Sequence, residues 1–420
     1  MIERVSYNQD DNCLETYNII VPGLIDFHNH LKFNALPRAV ISSKYNHRRD
    51  YREAAVGLEK AALEFEELLD KSPELACYAY LFSELKALSG GVTTIQGATG
   101  LSQKINPCIQ LNLVRNIENP EDFNHSLRPI GPKILNIVDI DGWKKDPKKF
   151  KLTENPNVFH RIFLHLAEGQ PDHTLQERTD FLPFVFSQAK RFVLINTIGL
   201  PMNDYDALGK QGTSFIWSPE SNITLYGITN PITRMIDFPI GLGSDWSLTG
   251  SFSLWEEMQK AYSISQKLKW NISAKRIFQM ATAGKEILDL PIGELKVGHF
   301  ADFFLVSKKK KPHKNPYKYL LTKASRKNIK LVVIDGKPIY GSFRAIKDID
   351  PTFSHFTKVS KGNCQNPKFL RTDVLQGHDF RTLEKELNSA VKKVIDHNPG
   401  VLFTDSQNNL ASPNYNLFPC

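Results

Sequence analysis

Between residues 19 and 290, short apolar runs bounded by turn residues alternate with longer stretches of helical period. The runs at 19–25, 92–95, 111–117, 134–140, 161–166, 191–195, 214–217 and 239–243 read as strands. Helical stretches fall between several of them. One covers 51–70 and is rich in Ala, Leu and Glu. A second opens at Ser72-Pro73-Glu74, which supplies an N-cap, a proline at the first helical position and an acid in the first turn. It carries Leu75, Tyr78, Leu81, Leu85 and Leu88 on one face and stops at Gly90-Gly91. Others cover 174–190 and 252–267. Strands alternating with helices over ~250 residues predict an α/β chain folded as a (β/α)8 TIM barrel. No GxGxxG follows a strand, so a doubly wound nucleotide-binding sheet is not indicated.

Past the barrel, Ser273 is placed to cap a helix running to 288, and Asp335-Gly336 marks a turn between two strands. The remainder, 345–420, is polar and asparagine-rich, with one amphipathic helix at 382–395. Its stripe of Leu383, Leu387, Val391 and Val394 suits a packed appendage or a homodimer contact.

Composition narrows the class only slightly. Hydrophobic content of 41% and charged content of 23% are those of an ordinary globular protein. No apolar run approaches the ~20 residues of a membrane span, so no membrane partner is expected. The net charge of +8 lies largely in the basic stretch 308–330 and the C-terminal part. No aromatic interleaving accompanies it, so a solvated loop is expected rather than a nucleic-acid surface. Five scattered cysteines without a CxxC pair predict reduced thiols and a cytoplasmic location.

The chemistry concentrates where the first apolar run ends, at Val21-Pro22-Gly23-Leu24-Ile25-Asp26-Phe27-His28-Asn29-His30. Two histidines at i and i+2 of a strand face the same way and can converge on a transition metal. The same spacing also suits an exposed pair at a strand-to-loop junction. The loop that follows should lie over a barrel mouth, with Phe33, Asn34 and Pro37 near a substrate and Tyr45, His47, Arg48 and Arg49 at the rim.

The string PGLIDFHNH resembles the opening metal motif of the amidohydrolase superfamily. Three later strings follow in family order: HLAE at 165–168, SPESN at 218–222 and GLGSDW at 241–246. The phrase ELKALSGGVTTI is also familiar from that family. The resemblance implies a metal-dependent hydrolase domain at 21–290, and a small, reduced β-sandwich formed by 1–20 and 291–344. The C-terminal extension, 345–420, lies beyond it.

It further implies that His28, His30, His165 and Asp245 hold one divalent ion, with zinc first and Fe2+ or Mn2+ as alternatives. No lysine ends the fourth strand candidate, so a bridged metal pair is not expected. Glu168 would then relay a proton between the metal-bound water and the substrate nitrogen, and Asp245 would accept one. The expected reaction is attack of metal-bound hydroxide on a carbon–nitrogen bond of a small molecule, of deaminase or cyclic-amidase type.

One position departs from the family pattern. Asn196 stands where relatives carry a histidine at the end of the sixth strand. Asparagine can donate a hydrogen bond but cannot titrate. Losing one such stabilising contact costs ~10² to 10³ in rate. The alternative reading is therefore a homologue that keeps its metal and binds a small ligand but turns over poorly. Trp217 and Asn222 at the seventh strand end, with Asn34, are the candidate substrate contacts. Trp246 could wall the pocket, and Glu220 replaces an arginine common in relatives.

Overall fold

The computed structural model describes residues 18–53, 57–97, 113–123, 133–137, 159–308, 315–360, 364, 366–375, 377 and 379–404. The apolar run at 19–25 is not one strand. It breaks at Gly23 into β1 (Ile19–Pro22) and β2 (Leu24–Asp26), which join different sheets. The break needs glycine, because a Cβ there would sit 2.0 Å from Thr93 Oγ1. The Gly23 amide leaves the run to bond Asp302 O at 2.9 Å. Both halves are apolar because each faces a core, so hydrophobic pattern alone could not show the division.

After β3 (Arg38–Ala39) come β4 (Val92–Ile95), β5 (Arg115–Asn116), β6 (Lys133–Ile137), β7 (Phe159–His165), β8 (Phe192–Ile195), β9 (Ser214–Trp217) and β10 (Ile240–Leu242). Two parallel sheets result, β2-β4-β5 and β10-β9-β8-β7-β6. They meet at β2 and β10, where Phe27 N donates to Leu242 O and Asp245 N donates to His28 O, each at 3.0 Å. The combined order is cyclic in sequence. Among the described residues no ladder joins β5 to β6, and no closed ring is formed.

Side chains alternate across these strands with period two. Ile25, Phe163, Val193, Ile195 and Ile216 form an inner cluster with Ile287, Leu288 and Phe300. Their neighbours Leu24, Ile162, Leu164, Phe192, Leu194, Phe215 and Trp217 belong to the larger core. His165 continues the inward alternation of Phe163 at the end of β7.

Helices α1 (Arg48–Glu53), α2 (Leu58–Lys71) and α3 (Pro73–Ser89) follow the first loop. Ser72 caps α3 as its sequence predicts, its side chain accepting from Leu75 N at 3.2 Å. Helix α3 is buried along Ala76–Ser89, not on one stripe. The helix Phe380–His397 and α2 both pack on it. The stripe of Leu383, Leu387, Val391 and Val394 is thus covered within the same chain.

A six-stranded antiparallel sheet completes the fold. Its strands are β1, β11 (Phe303–Val306), β12 (Ile329–Ile334), β13 (Lys337–Ser342), β14 (Phe356–Lys358) and β15 (Lys368–Arg371). Their order is β1-β11-β12-β13-β15-β14. Two of these strands come from beyond residue 344. A last strand, β16 (Phe403–Thr404), pairs with β3. The helix expected from Ser273 to 288 is two helices, Ala274–Met280 and Gly284–Leu288, and Ser273 does cap the first.

The expectation of reduced thiols is overturned for two residues. Cys77 and Cys364 are both disulfide-bonded. Cysteines far apart in sequence come into bonding reach only through tertiary packing, which spacing does not reveal. Of the basic stretch, residues 309–314 lie outside the described residues. No helix among the described residues is long and apolar enough to cross a membrane.

Candidate metal centre

The histidines of the first motif leave the end of β2, and His165 ends β7. Their rings converge: His28 lies 4.8 Å from His30 and 4.7 Å from His165 between ring centroids. One ligand atom from each lies within 4.8 Å of the others. Asp245, three residues beyond β10, places Oδ1 3.3 Å from His28 Nε2 and 3.4 Å from His30 Nε2. Gly243 allows this approach, since a Cβ there would sit 2.5 Å from the Cβ of His28.

Whether these residues suit a cation can be tested on their geometry. Ligands about 2.1 Å from a tetrahedral ion stand ~3.4 Å apart. The two carboxylate-to-imidazole distances match that edge. His28 Nε2 and His165 Nδ1 are also buried with no hydrogen-bond partner, a costly state for polar atoms unless something else engages them. Three neutral nitrogens and one carboxylate oxygen are a donor set for zinc, iron or manganese. The residues fit a divalent ion.

Surrounding groups hold the ligands in place, as partners behind a metal site do. His28 Nδ1 meets Gln96 Oε1 at 3.3 Å, and Gln96 in turn donates to Glu118 at 2.6 Å. Asn29, between the two histidines, donates to Asp26 and Ser244 and accepts from Asn34 Nδ2 at 2.7 Å. Asn34 Oδ1 accepts from Ser247 N at 3.1 Å, so this candidate substrate contact braces two ligand-bearing loops.

Glu168 is buried, with Oε2 3.7 Å from His165 Nε2 and Oε1 accepting from the Tyr226 hydroxyl at 3.1 Å. Burial, reinforced by the nearby Asp245 charge, pushes its carboxyl up to about 7. Asp245 goes the other way. Burial opposes its charge, but the adjacent imidazoles of His28 and His30 hold it well below the usual range.

Asn196 is fully buried. Its Nδ2 lies 3.5 Å from Asp245 Oδ2, and its Oδ1 accepts from Asn222 Nδ2 at 3.1 Å. Asn222 Oδ1 accepts from Thr229, whose hydroxyl also takes the Trp217 indole N–H at 2.7 Å. Trp217 itself is buried against Trp270. Three non-glycine residues here have left-handed backbone: Ala167 (φ 56°), Asn196 (φ 51°) and Asp245 (φ 58°). Asn and Asp tolerate that region, whereas for alanine it is uncommon. Such strain clusters at functional sites.

Trp246 forms an aromatic wall beside His30, with its ring centroid 6.0 Å from His30, 5.9 Å from Phe33 and 6.1 Å from Tyr51. Arg48 was expected at the rim but is buried, with Nη2 3.4 Å from Glu177. Glu220 faces away from this cluster toward Arg38 and Lys260. Sequence reasoning missed Gln96, Tyr226 and Glu177. Asn29 was available, because it separates the two histidines. Tyr226 and Gln96 carry no local signal.

Residues 213–339 match the model of the amidohydrolase family. That segment is of the amidohydrolase type. Among the curated relatives is the 5-methylthioadenosine/S-adenosylhomocysteine deaminase of Clostridium tetani. It is 27% identical over 57% of the chain and 58% of the relative. A 5′-deoxyadenosine deaminase of Methanococcus maripaludis is 25% identical over 44% of the chain and 49% of that protein. The chain thus spans about half the length of these curated relatives.

In fold, it resembles a zinc-bound adenosine deaminase from Xanthomonas campestris, with a TM-score of 0.62 at 15% identity over 90% of this chain and 86% of that one. A guanine deaminase from C. acetobutylicum, solved with guanine bound, gives 0.58 at 15% identity over 80% and 92%.

Proposed function

We propose that this chain hydrolyses a carbon–nitrogen bond, other than a peptide bond, in a small molecule. One divalent cation, zinc first, would be held by His28, His30, His165 and Asp245. The convergence of three imidazoles and the Asp245 carboxylate on one point carries this reading. A cation there supplies Lewis acidity, bringing the pKa of a water it binds to about 7.

The chain's own residues handle the proton and the substrate. Asp245 Oδ2, which faces Asn196 Nδ2 at 3.5 Å, is the oxygen that accepts a proton. Glu168 carries a proton to the departing nitrogen, and the Tyr226 hydroxyl holds its carboxyl in place. Asn196 Nδ2 donates a neutral hydrogen bond at the same place. The wall of Trp246, Tyr51 and Phe33 suits a planar or apolar substrate face. We further propose that the parallel strands close as a (β/α)8 barrel spanning 21–290. The small sheet and the C-terminal extension then pack outside it.

The named activities of the relatives make purines and 5′-substituted adenosines the first substrates to assay, with cyclic amides beside them. Ammonia release from the purines and adenosines, and ring opening of the cyclic amides, should be measured for wild type and for Glu168→Gln. The account expects turnover of at least one compound by wild type. It expects a loss on the order of 10² to 10⁴ in Glu168→Gln, with metal retained. Undiminished turnover in that variant would remove Glu168 from the reaction.

A second reading has its own observation. Asn196 Oδ1 is taken by Asn222, which leaves only the amide N–H for the site. A metal-binding homologue of low turnover would have this feature, and Asn196→His would then raise its activity.

A further inference from the structure

Beside the loop that follows the His pair lies a cavity of about 530 Å³ lined by none of the four candidate ligands. Leu36, Phe82 and Phe252 give it apolar walls. Its charged groups are Arg38, Lys86, Lys260, Glu220 and Glu256. Both carboxylates are already engaged. Glu220 pairs with Arg38 and with Lys260, the latter at 2.7 Å, and Glu256 pairs with Arg326 at 2.7 Å.

Lys86 is different. It is only 4% exposed and has no ion-pair partner among the described residues. Its ammonium donates to the Asn34 carbonyl at 3.3 Å and lies 4.5 Å from the centre of the Phe252 ring. An ammonium has three donors, so this one is under-used. Burial, with the Arg326 charge adding to it, pulls its pKa down to about 7.

We propose that this cavity is a second small-molecule site. It takes an organic carboxylate whose head pairs with Lys86 and whose apolar body lies against Phe82, Phe252 and Leu36. Three cations against two carboxylates leave one positive charge on the lining, which a monoanion balances. Phosphate, with more charge and no apolar body, leaves the aromatic wall unused. The site is not isolated from the metal centre. The Asn34 carbonyl that Lys86 holds belongs to the residue bracing Asn29 and Ser247.

The test uses the full chain at constant ionic strength, with chloride as the control anion. Benzoate, hexanoate and inorganic phosphate are titrated while the unfolding temperature and the heat of binding are followed. We expect a saturable rise in unfolding temperature with benzoate or hexanoate, and none with phosphate beyond the chloride control. Lys86→Met should weaken binding at least tenfold while metal content stays at the wild-type level. Ser263→Trp, at an exposed position on the lining, should block the cavity without disturbing the core, and carries the test if Lys86→Met fails to fold. The proposal is overturned if neither carboxylate gives a saturable shift, if phosphate binds as well, or if binding is undiminished in either folded variant. Metal content in the same samples reports separately on the hydrolase reading.

Discussion

Asp245 presents its two oxygens to two differently built sides of one site. Oδ1 faces His28 and His30, whose imidazole nitrogens are of a kind that can ligate a cation. Oδ2 faces Asn196, whose amide does not titrate. On the first side, buried nitrogens remain without hydrogen-bond partners, as a cation site requires. On the second, every polar atom is passed along a chain from Asn196 to Asn222, Thr229 and Trp217. One side is prepared for an ion, and the other is a closed network of neutral hydrogen bonds. If the proposed hydrolase reading holds, metal affinity and catalytic power can therefore vary independently.

The largest effect that could break this contrast is metal removal. Stripping the ion with a chelator should abolish turnover and lower the unfolding temperature, because a ligand bound only to the folded state stabilises it. Zinc added back should restore both. An unfolding temperature indifferent to chelation and zinc would show that the imidazole side does not hold an ion.

Next comes the neutral side. Asn196→Ala should cost on the order of 10² in rate if its amide stabilises the reacting group, while metal content stays the same. If instead Asn196→His raises activity, loss of the histidine is what silenced the site. Equal rates and ligand affinities in all three proteins would remove Asn196 from the reaction. Asn222→Ala should have a smaller effect, about tenfold, through loss of orientation of Asn196, the scale at which groups behind a site act. A change in metal content in this variant would show that the two sides are coupled.

The smallest effect separates burial from partnership. Glu84 is buried like Asp245 but meets backbone amides and the Asp122 charge, not imidazoles, and burial pushes its pKa up to about 8. A folded value above the unfolded one means the folded state holds the extra proton. That stability is fully present below about 4.5 and is lost as pH rises through about 8. In unfolding-temperature profiles, Glu84→Gln should flatten the decline across this window. An unchanged slope would assign the decline to other groups.

Much of this site could be read before the fold was known, for a physical reason. His28 and His30 share a face through their i, i+2 spacing, whereas His165 and Asp245 were pointed to by resemblance to the amidohydrolase motifs, and the structure brings the four side chains together. Caps are equally local, and Ser72 and Ser273 act where the sequence puts them. The division at Gly23 was hidden, because both halves of the run are apolar and each is buried in its own sheet. The stripe on α3 was too narrow a reading, since packing from both sides buries residues that polarity assigns to solvent, Glu84 and Lys86 among them. Tyr226, Gln96, the disulfide-bonded cysteines and the added strands β14 and β15 depend on contacts distant in sequence. No local pattern encodes those.

The most direct test of the central claim is elemental analysis of purified wild type, His165→Ala and Asp245→Ala, with folding checked by circular dichroism. The account predicts about one divalent ion per wild-type chain and a loss of most of it in each variant. Wild-type metal content in both folded variants would contradict it.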